Sequence, residues 1–179
     1  MMFGLNLSSP ADHPPELLRP ARLSYIALTI LAASLVNLLS APELILRLKP
    51  DFIAIVLIYW TIFHPYRLGF TSAWLLGLVM DVANGSLFGE HALAYTLMLY
   101  LAGVFHRRII MFPLVYQIVH VLVILVFTQF ATLIVRMASG SDFPGFFYFL
   151  PSMTGAAIWP LLTTLLRAPL RQSNEQDAV

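Results

Sequence analysis

The feature that most constrains this chain is a succession of long stretches without a charged side chain, separated at short intervals by Arg pairs and single acids. Apolar stretches joined by short charged loops are the layout of a polytopic membrane protein. Six such segments can be marked, at residues 23–41, 52–63, 68–83, 92–105, 109–135 and 146–166. About 20 helical residues at roughly 1.5 Å each are needed to cross a hydrocarbon core of about 30 Å. The first, fifth and sixth segments meet that length outright, while the third and fourth reach it if their flanks snorkel or the bilayer thins locally. The second is short. Pro50 and Asp51 predict its start, the acid capping free amide groups, and His64 before Pro65 predicts its end. That leaves roughly 20 Å of helix.

Composition narrows the function classes. Of 179 residues, 59% are hydrophobic and 11% charged, against roughly 45–50% and about 25% in an ordinary soluble domain. The net charge is +1 and the basic residues form no continuous patch, so nucleic acid is not expected as a partner. The absence of Cys excludes a disulfide framework and a thiolate nucleophile. Residues 1–22, with Pro10, Pro14, Pro15 and Pro20, read as a cytoplasmic tail, 23–167 as a six-helix transmembrane domain, and 168–179 as a second cytoplasmic tail. The first apolar segment is too long for a signal-peptide core, and it reads as a retained span.

Charge placement supports an inner-membrane protein with Arg107, Arg108 and the C-terminal tail in the cytoplasm, and leaves the side of the N-terminus to the choice of span number. With six spans, Arg19, Arg22, Arg67, Arg107, Arg108, Arg167 and Arg171 are inside, and Arg47, Lys49 and Arg136 outside. A re-entrant second segment with the N-terminus outside exchanges Arg47 and Lys49 for Arg19 and Arg22, so the seven-to-three bias is unchanged. Six spans are preferred because residues 52–63 are apolar except Thr61 and end in the interface-seeking pair Tyr59 and Trp60.

Three groups of residues stand out. Gly69, Ala73, Gly77 and Asp81 recur every four residues on one face of the third segment. Small residues so spaced allow membrane helices to approach closely, and a carboxylate at membrane depth needs a partner or water. This face is a candidate for helix packing or partner contact, with Asp81 either capping the turn at Asn84 and Gly85 or meeting a partner. The outer loop that follows carries Gly85, Ser86, Gly89, Glu90 and His91, its glycines suited to two turns. Asp81, Glu90 and His91 have the residue types of a general-base cluster. No nucleophile elbow, HExxH or paired-carboxylate motif accompanies them, and an acid in a first helical turn ordinarily complements the helix dipole. No enzyme activity is expected. In the fifth segment Gln117, His120, Thr128 and Thr132 form a polar stripe, read as interhelical hydrogen bonding or as the lining of a small-ligand or lipid pocket. The five His residues lack metal-ligand spacing, so neither metal nor cofactor is expected. In the sixth segment Pro160 predicts a kink.

The residues 50–106 resemble the bacterial rod shape-determining protein MreD family. Pro50-Asp51, Tyr59-Trp60, His64-Pro65, Arg67-Leu68-Gly69 and the stretch from Gly77 through Asp81 to Val82 carry the resemblance, which continues from Gly85 through His91-Ala92-Leu93 to Tyr95. It implies a non-enzymatic scaffold or regulator of peptidoglycan synthesis in cell-wall elongation that maintains rod shape. The partner implied is MreC, beside the elongation glycosyltransferase, its penicillin-binding transpeptidase, membrane lipid and, indirectly, MreB. The family's bundle is also similar to the substrate-binding subunits of vitamin transporters, so the alternative is a subunit that binds or transports a small molecule or lipid.

Overall fold

In a computed structural model, described for residues 21–39, 42 and 48–176, the described residues form six α-helices and no strand. They are α1 (Leu23–Leu38), α2 (Phe52–Phe63), α3 (Phe70–Asn84), α4 (Glu90–Met111), α5 (Leu114–Ala138) and α6 (Leu150–Gln176), with a 3-10 turn at Phe146–Phe149 leading into α6. Arg19, Arg47 and nearly all of the N-terminal tail lie outside the described residues. The C-terminal tail expected from residue 168 is helical through Gln176 as a continuation of α6, which runs on through Pro160 and Pro169.

Local sequence explains most boundaries. Asp51 accepts a hydrogen bond from the Ala54 amide at 3.1 Å and so caps α2. His64 closes that helix immediately before Pro65. One boundary differs from the sequence reading, which ended the fourth segment at residue 105 and began the fifth at 109. The helix instead runs through Arg107 and Arg108, and the break falls at Phe112 and Pro113. Pro113 has no amide hydrogen and holds Phe112 in an extended conformation, ψ 144°. Arg108 sits in the last turn of α4, where a cation complements the carbonyl end of the dipole.

Two stretches, Leu114–Ala138 and Phe146–Leu170, are long and apolar enough to cross a membrane, and α1, α2 and α3 are shorter apolar helices. α2 is the centre of the bundle: every residue from Ile53 to Ile62 is buried, against α1, α4 and α6. Its Trp60 donates its indole N–H to Thr29 on α1 at 2.9 Å and meets Tyr25 and Tyr59 edge-on. On α6, Trp159 is likewise buried and donates to Gln117 of α5 at 3.3 Å. α4 packs against α2, α3 and α5, and α5 packs against α6. α3 is seated chiefly on α4. Short connections alternate the helix directions, so the end of α1, α3 and α5 and the start of α2, α4 and α6 meet at one end of the bundle.

Candidate functional site

That end holds a dense polar network. Asp81, in the last turn of α3, is buried and accepts from the Gly89 amide at 2.8 Å, the His91 amide at 2.8 Å, His91 Nδ1 at 2.8 Å and Ser86 Oγ at 3.0 Å. The first amides of a helix lack partners within it, and here a carboxylate from the preceding helix supplies them for α4. Gly85 (φ 60°) and Gly89 (φ 99°) make this possible, because both adopt the left-handed conformation that L side chains rarely take. Gly85 closes α3, and Ser86 donates its amide to the Asp81 carbonyl at 3.0 Å.

Two further acids at this end, Glu90 and Asp51, also tie helices together. Glu90 is buried in the first turn of α4, and its carboxylate receives Nε of Arg136 from the last turn of α5. Asp51 Oδ1 takes Asn37 Nδ2 at 2.7 Å as well as the Ala54 amide, while Oδ2 takes the Tyr95 hydroxyl at 2.6 Å. Asn37 returns its Oδ1 to the Phe52 amide at 3.0 Å, and Lys49 donates to the carbonyls of Asn37 and Leu39 at 2.7 and 2.8 Å. Ser152 on α6 bonds Gln129 on α5, and the Tyr148 hydroxyl bonds Thr132. Apart from the local Asp51–Ala54 cap, each of these pairs ties segments at least 10 residues apart.

Between them lies a cavity of about 370 Å³, whose walls include Asn37, Lys49, Asp51, His91, Tyr95, Thr128, Gln129, Thr132, Arg136 and Tyr148. A second of about 540 Å³ lies between the 84–91 loop and residues 136–144, sharing Asn84, His91 and Arg136 with the first.

The sequence-predicted residues separate on this frame. Ala73 is buried, and a Cβ on Gly77 would stand 2.3 Å from Ala92 Cα and 2.5 Å from Ala92 N, so the two helices touch backbone to backbone. Gly69 does not share that packing: it precedes the first turn of α3, with nothing within 4 Å of a Cβ placed there. The polar stripe of α5 does not line one pocket. Gln117 and Thr132 are about 22 Å apart along the helix at roughly 1.5 Å per residue, too far for a single small cavity. Gln117 is sealed between Trp159 and the Phe112 carbonyl. His120 lies in an apolar groove between α4 and α5, beside Phe105, Ile109 and Phe127, with Nδ1 on the Tyr116 carbonyl. Only Thr128 and Thr132 of the four reach the polar cavity.

Asn37, Lys49, Asp51, Tyr95, Gln129, Arg136 and Tyr148 enter the site without having been singled out for it. A polar side chain within an apolar segment is the one sequence signal that could have found Asn37 and Gln129. Chemically, Asp81 and His91 have the hydrogen bond of an acid-base dyad. Ser86 lies 3.3 Å from His91 Nδ1, on the nitrogen already turned to Asp81, and no hydroxyl among the described residues bonds Nε2. The bonds from Gly89 and His91 to Asp81 anchor the loop to the end of α3.

The family model for the rod shape-determining protein MreD matches residues 20–168, a stretch that contains the whole network. The chain belongs to the MreD family. A rod shape-determining protein MreD of Haemophilus influenzae is 27% identical over 123 residues, covering 67% of this chain and 74% of the relative. No solved structure matches the chain. Family membership ties the chain to rod-shape determination and to the membrane, and the all-helical fold agrees with it.

Proposed function

We propose that the chain is a six-span, non-enzymatic scaffold of the cell-wall elongation machinery in the bacterial inner membrane, acting with MreC beside the elongation glycosyltransferase and its transpeptidase. In this reading MreB is engaged only indirectly, the network end faces outward, and both termini are cytoplasmic; the distribution of basic residues supports the cytoplasmic placement of Arg107, Arg108 and the C-terminal end. The observation that carries the proposal is the commitment of the three acids of the polar network. Asp51, Asp81 and Glu90 are each occupied in joining helices or capping the 85–89 loop. Asp81 in particular holds a short loop that displays Phe88 at 71% exposure. A loop held this firmly, with a large aromatic side chain outward, suits docking of another protein more than turnover of a substrate.

Two measurements test this. Reporter fusions after Gln176 report cytoplasmic and insertions at Gly140 report periplasmic, and reversal of either signal overturns the topology. Phe88→Asp leaves membrane abundance unchanged, lowers recovery of MreC from native membranes and fails to restore rod shape. Full MreC recovery with normal shape would remove the loop as the contact.

A further inference from the structure

We propose that the polar cavity at the network end binds a compact anionic oxygen group, a phosphate or carboxylate, carried on a lipid headgroup or free in solution. Hydrogen-bonding capacity there is divided unevenly between acceptors and donors. The carboxylates are the most heavily used: Asp51, on the cavity wall, accepts three bonds, while of the two outside that wall Asp81 accepts four and Glu90 holds Arg136 through Oε1. Thr132 has placed its only hydroxyl hydrogen on the Gln129 carbonyl, so Tyr148 donates its own to Thr132.

Donors remain. Gln129 accepts Ser152 on Oε1, and its amide nitrogen bonds nothing among the described residues. Arg136 gives Nε to Glu90, while neither terminal guanidinium nitrogen has a hydrogen bond to a described residue. Both side chains line the 370 Å³ cavity, and so does Lys49, whose ammonium is held on the Asn37 and Leu39 carbonyls. A guanidinium offers its donors as a planar fork that matches carboxylate and phosphate oxygens, and such charge-assisted bonds are about twice as strong as neutral ones. The volume is at the small end of the roughly 300–1,000 Å³ typical of ligand sites. It admits one headgroup and excludes a folded partner.

The proposal goes beyond the scaffold reading and does not depend on which protein meets Phe88. The full chain, purified in dodecyl maltoside and delipidated, is titrated with dioleoylphosphatidylglycerol, with dioleoylglycerol, which has the same tails and no phosphate, and with sodium phosphate. Native mass spectrometry reads the lipids and calorimetry the phosphate. The expected result is one phosphatidylglycerol per chain with dioleoylglycerol excluded, and affinity lowered about tenfold by Gln129→Leu, as for loss of one hydrogen bond to a charged group. Arg136→Gln lowers it further. The double change Arg107→Gln and Arg108→Gln, at the opposite end, leaves it unaltered. Binding of phosphate with the same sensitivity, and no lipid, assigns the site to a free anion and supports the proposal equally. Equal retention of both lipids, insensitivity to Gln129→Leu, or an equal loss with the Arg107 and Arg108 change overturns it. So does loss of MreC recovery in Gln129→Leu with neither anion bound, which assigns the donors to a protein partner. If Arg136→Gln fails to accumulate, Gln129→Leu, which touches no ion pair, carries the test.

Discussion

α2 and α5 are both apolar helices free of acidic residues, yet they occupy opposite environments. α2 is buried on every side from Ile53 to Ile62, whereas one third of the most apolar window of α5 is buried, although its mean hydropathy there is 2.5. In water a helix apolar all round must be inside a protein. In a bilayer, lipid solvates the outer face of α5 as well as neighbouring helices solvate α2, so hydropathy ceases to report burial. Length separates the two instead. A helix of 12 residues surrounded by α1, α4 and α6 has its surface covered by protein, and one of 25 residues leaves two thirds of its most apolar window uncovered by protein.

The sharpest break between the two helices is the cost of a deleted ring. Trp60→Ala in α2 leaves a cavity that neighbours only partly fill and frees the Thr29 hydroxyl, costing about 3–5 kcal/mol. Phe130→Ala on the exposed face of α5 costs under about 1 kcal/mol, because lipid occupies the space. Reversible unfolding in mixed micelles measures both, and equal losses would erase the distinction between buried and lipid-facing apolar helices.

A smaller effect extends the contrast to α3, where one small-residue stripe contains both environments. Gly77→Leu forces a side chain against the Ala92 backbone and costs about 1–3 kcal/mol, lowering the yield of folded protein. Gly69→Leu meets open space and leaves the yield unchanged. Comparable yields for the two variants would mean that α3 does not approach α4 through Gly77.

Polar ties at the end of α5 come next. Glu90→Gln removes the charge from the Arg136 pair while keeping an acceptor, and lowers stability by about 1–2 kcal/mol without loss of rod shape in complementation. Loss of shape at normal abundance and normal MreC recovery would show that the carboxylate itself performs chemistry.

The smallest effect lies at the other end of α2. Burial, and secondarily the nearby Arg67, hold the His64 pKa below its ordinary value. Its Nε2 accepts the Ala21 amide at 3.4 Å, and Nδ1 has no partner. The unfolded chain therefore binds the proton more readily than the folded one. Stability attributable to His64 is constant above about pH 6.5 and falls as the pH drops below that value. Thermal unfolding between pH 7.5 and 5.5 should show a slope that His64→Gln reduces, and an unchanged slope would assign it to other groups.

How far the residues announced these roles depends on sequence distance. The cap at Asp51, the stop at His64-Pro65 and the left-handed turns at Gly85 and Gly89 are local, set by side chains within a few residues of the backbone they direct. The boundary between α4 and α5 was misplaced because Arg107 and Arg108 suggested a loop. Long basic side chains reach polar surroundings from within a helix, and Pro113 was the stronger signal. Asp51 with Tyr95, Glu90 with Arg136 and Trp159 with Gln117 join residues 44, 46 and 42 positions apart. Helical period assigns each to a face without naming what lies opposite.

The sequence by itself determined the membrane class, most helix segments, the short second helix and the small-residue approach on α3, because chain length against bilayer thickness and local backbone chemistry suffice for these. Only the tertiary structure decided that α2 is the core, that Gly77 rather than Gly69 makes the close contact, and that three acids converge at one end with donors to spare. The physical reason is the solvent. A bilayer rewards apolar side chains equally on inner and outer faces, so the pattern that marks a core in water is missing. The partner of each buried polar group, required because lipid offers none, is chosen by helix packing.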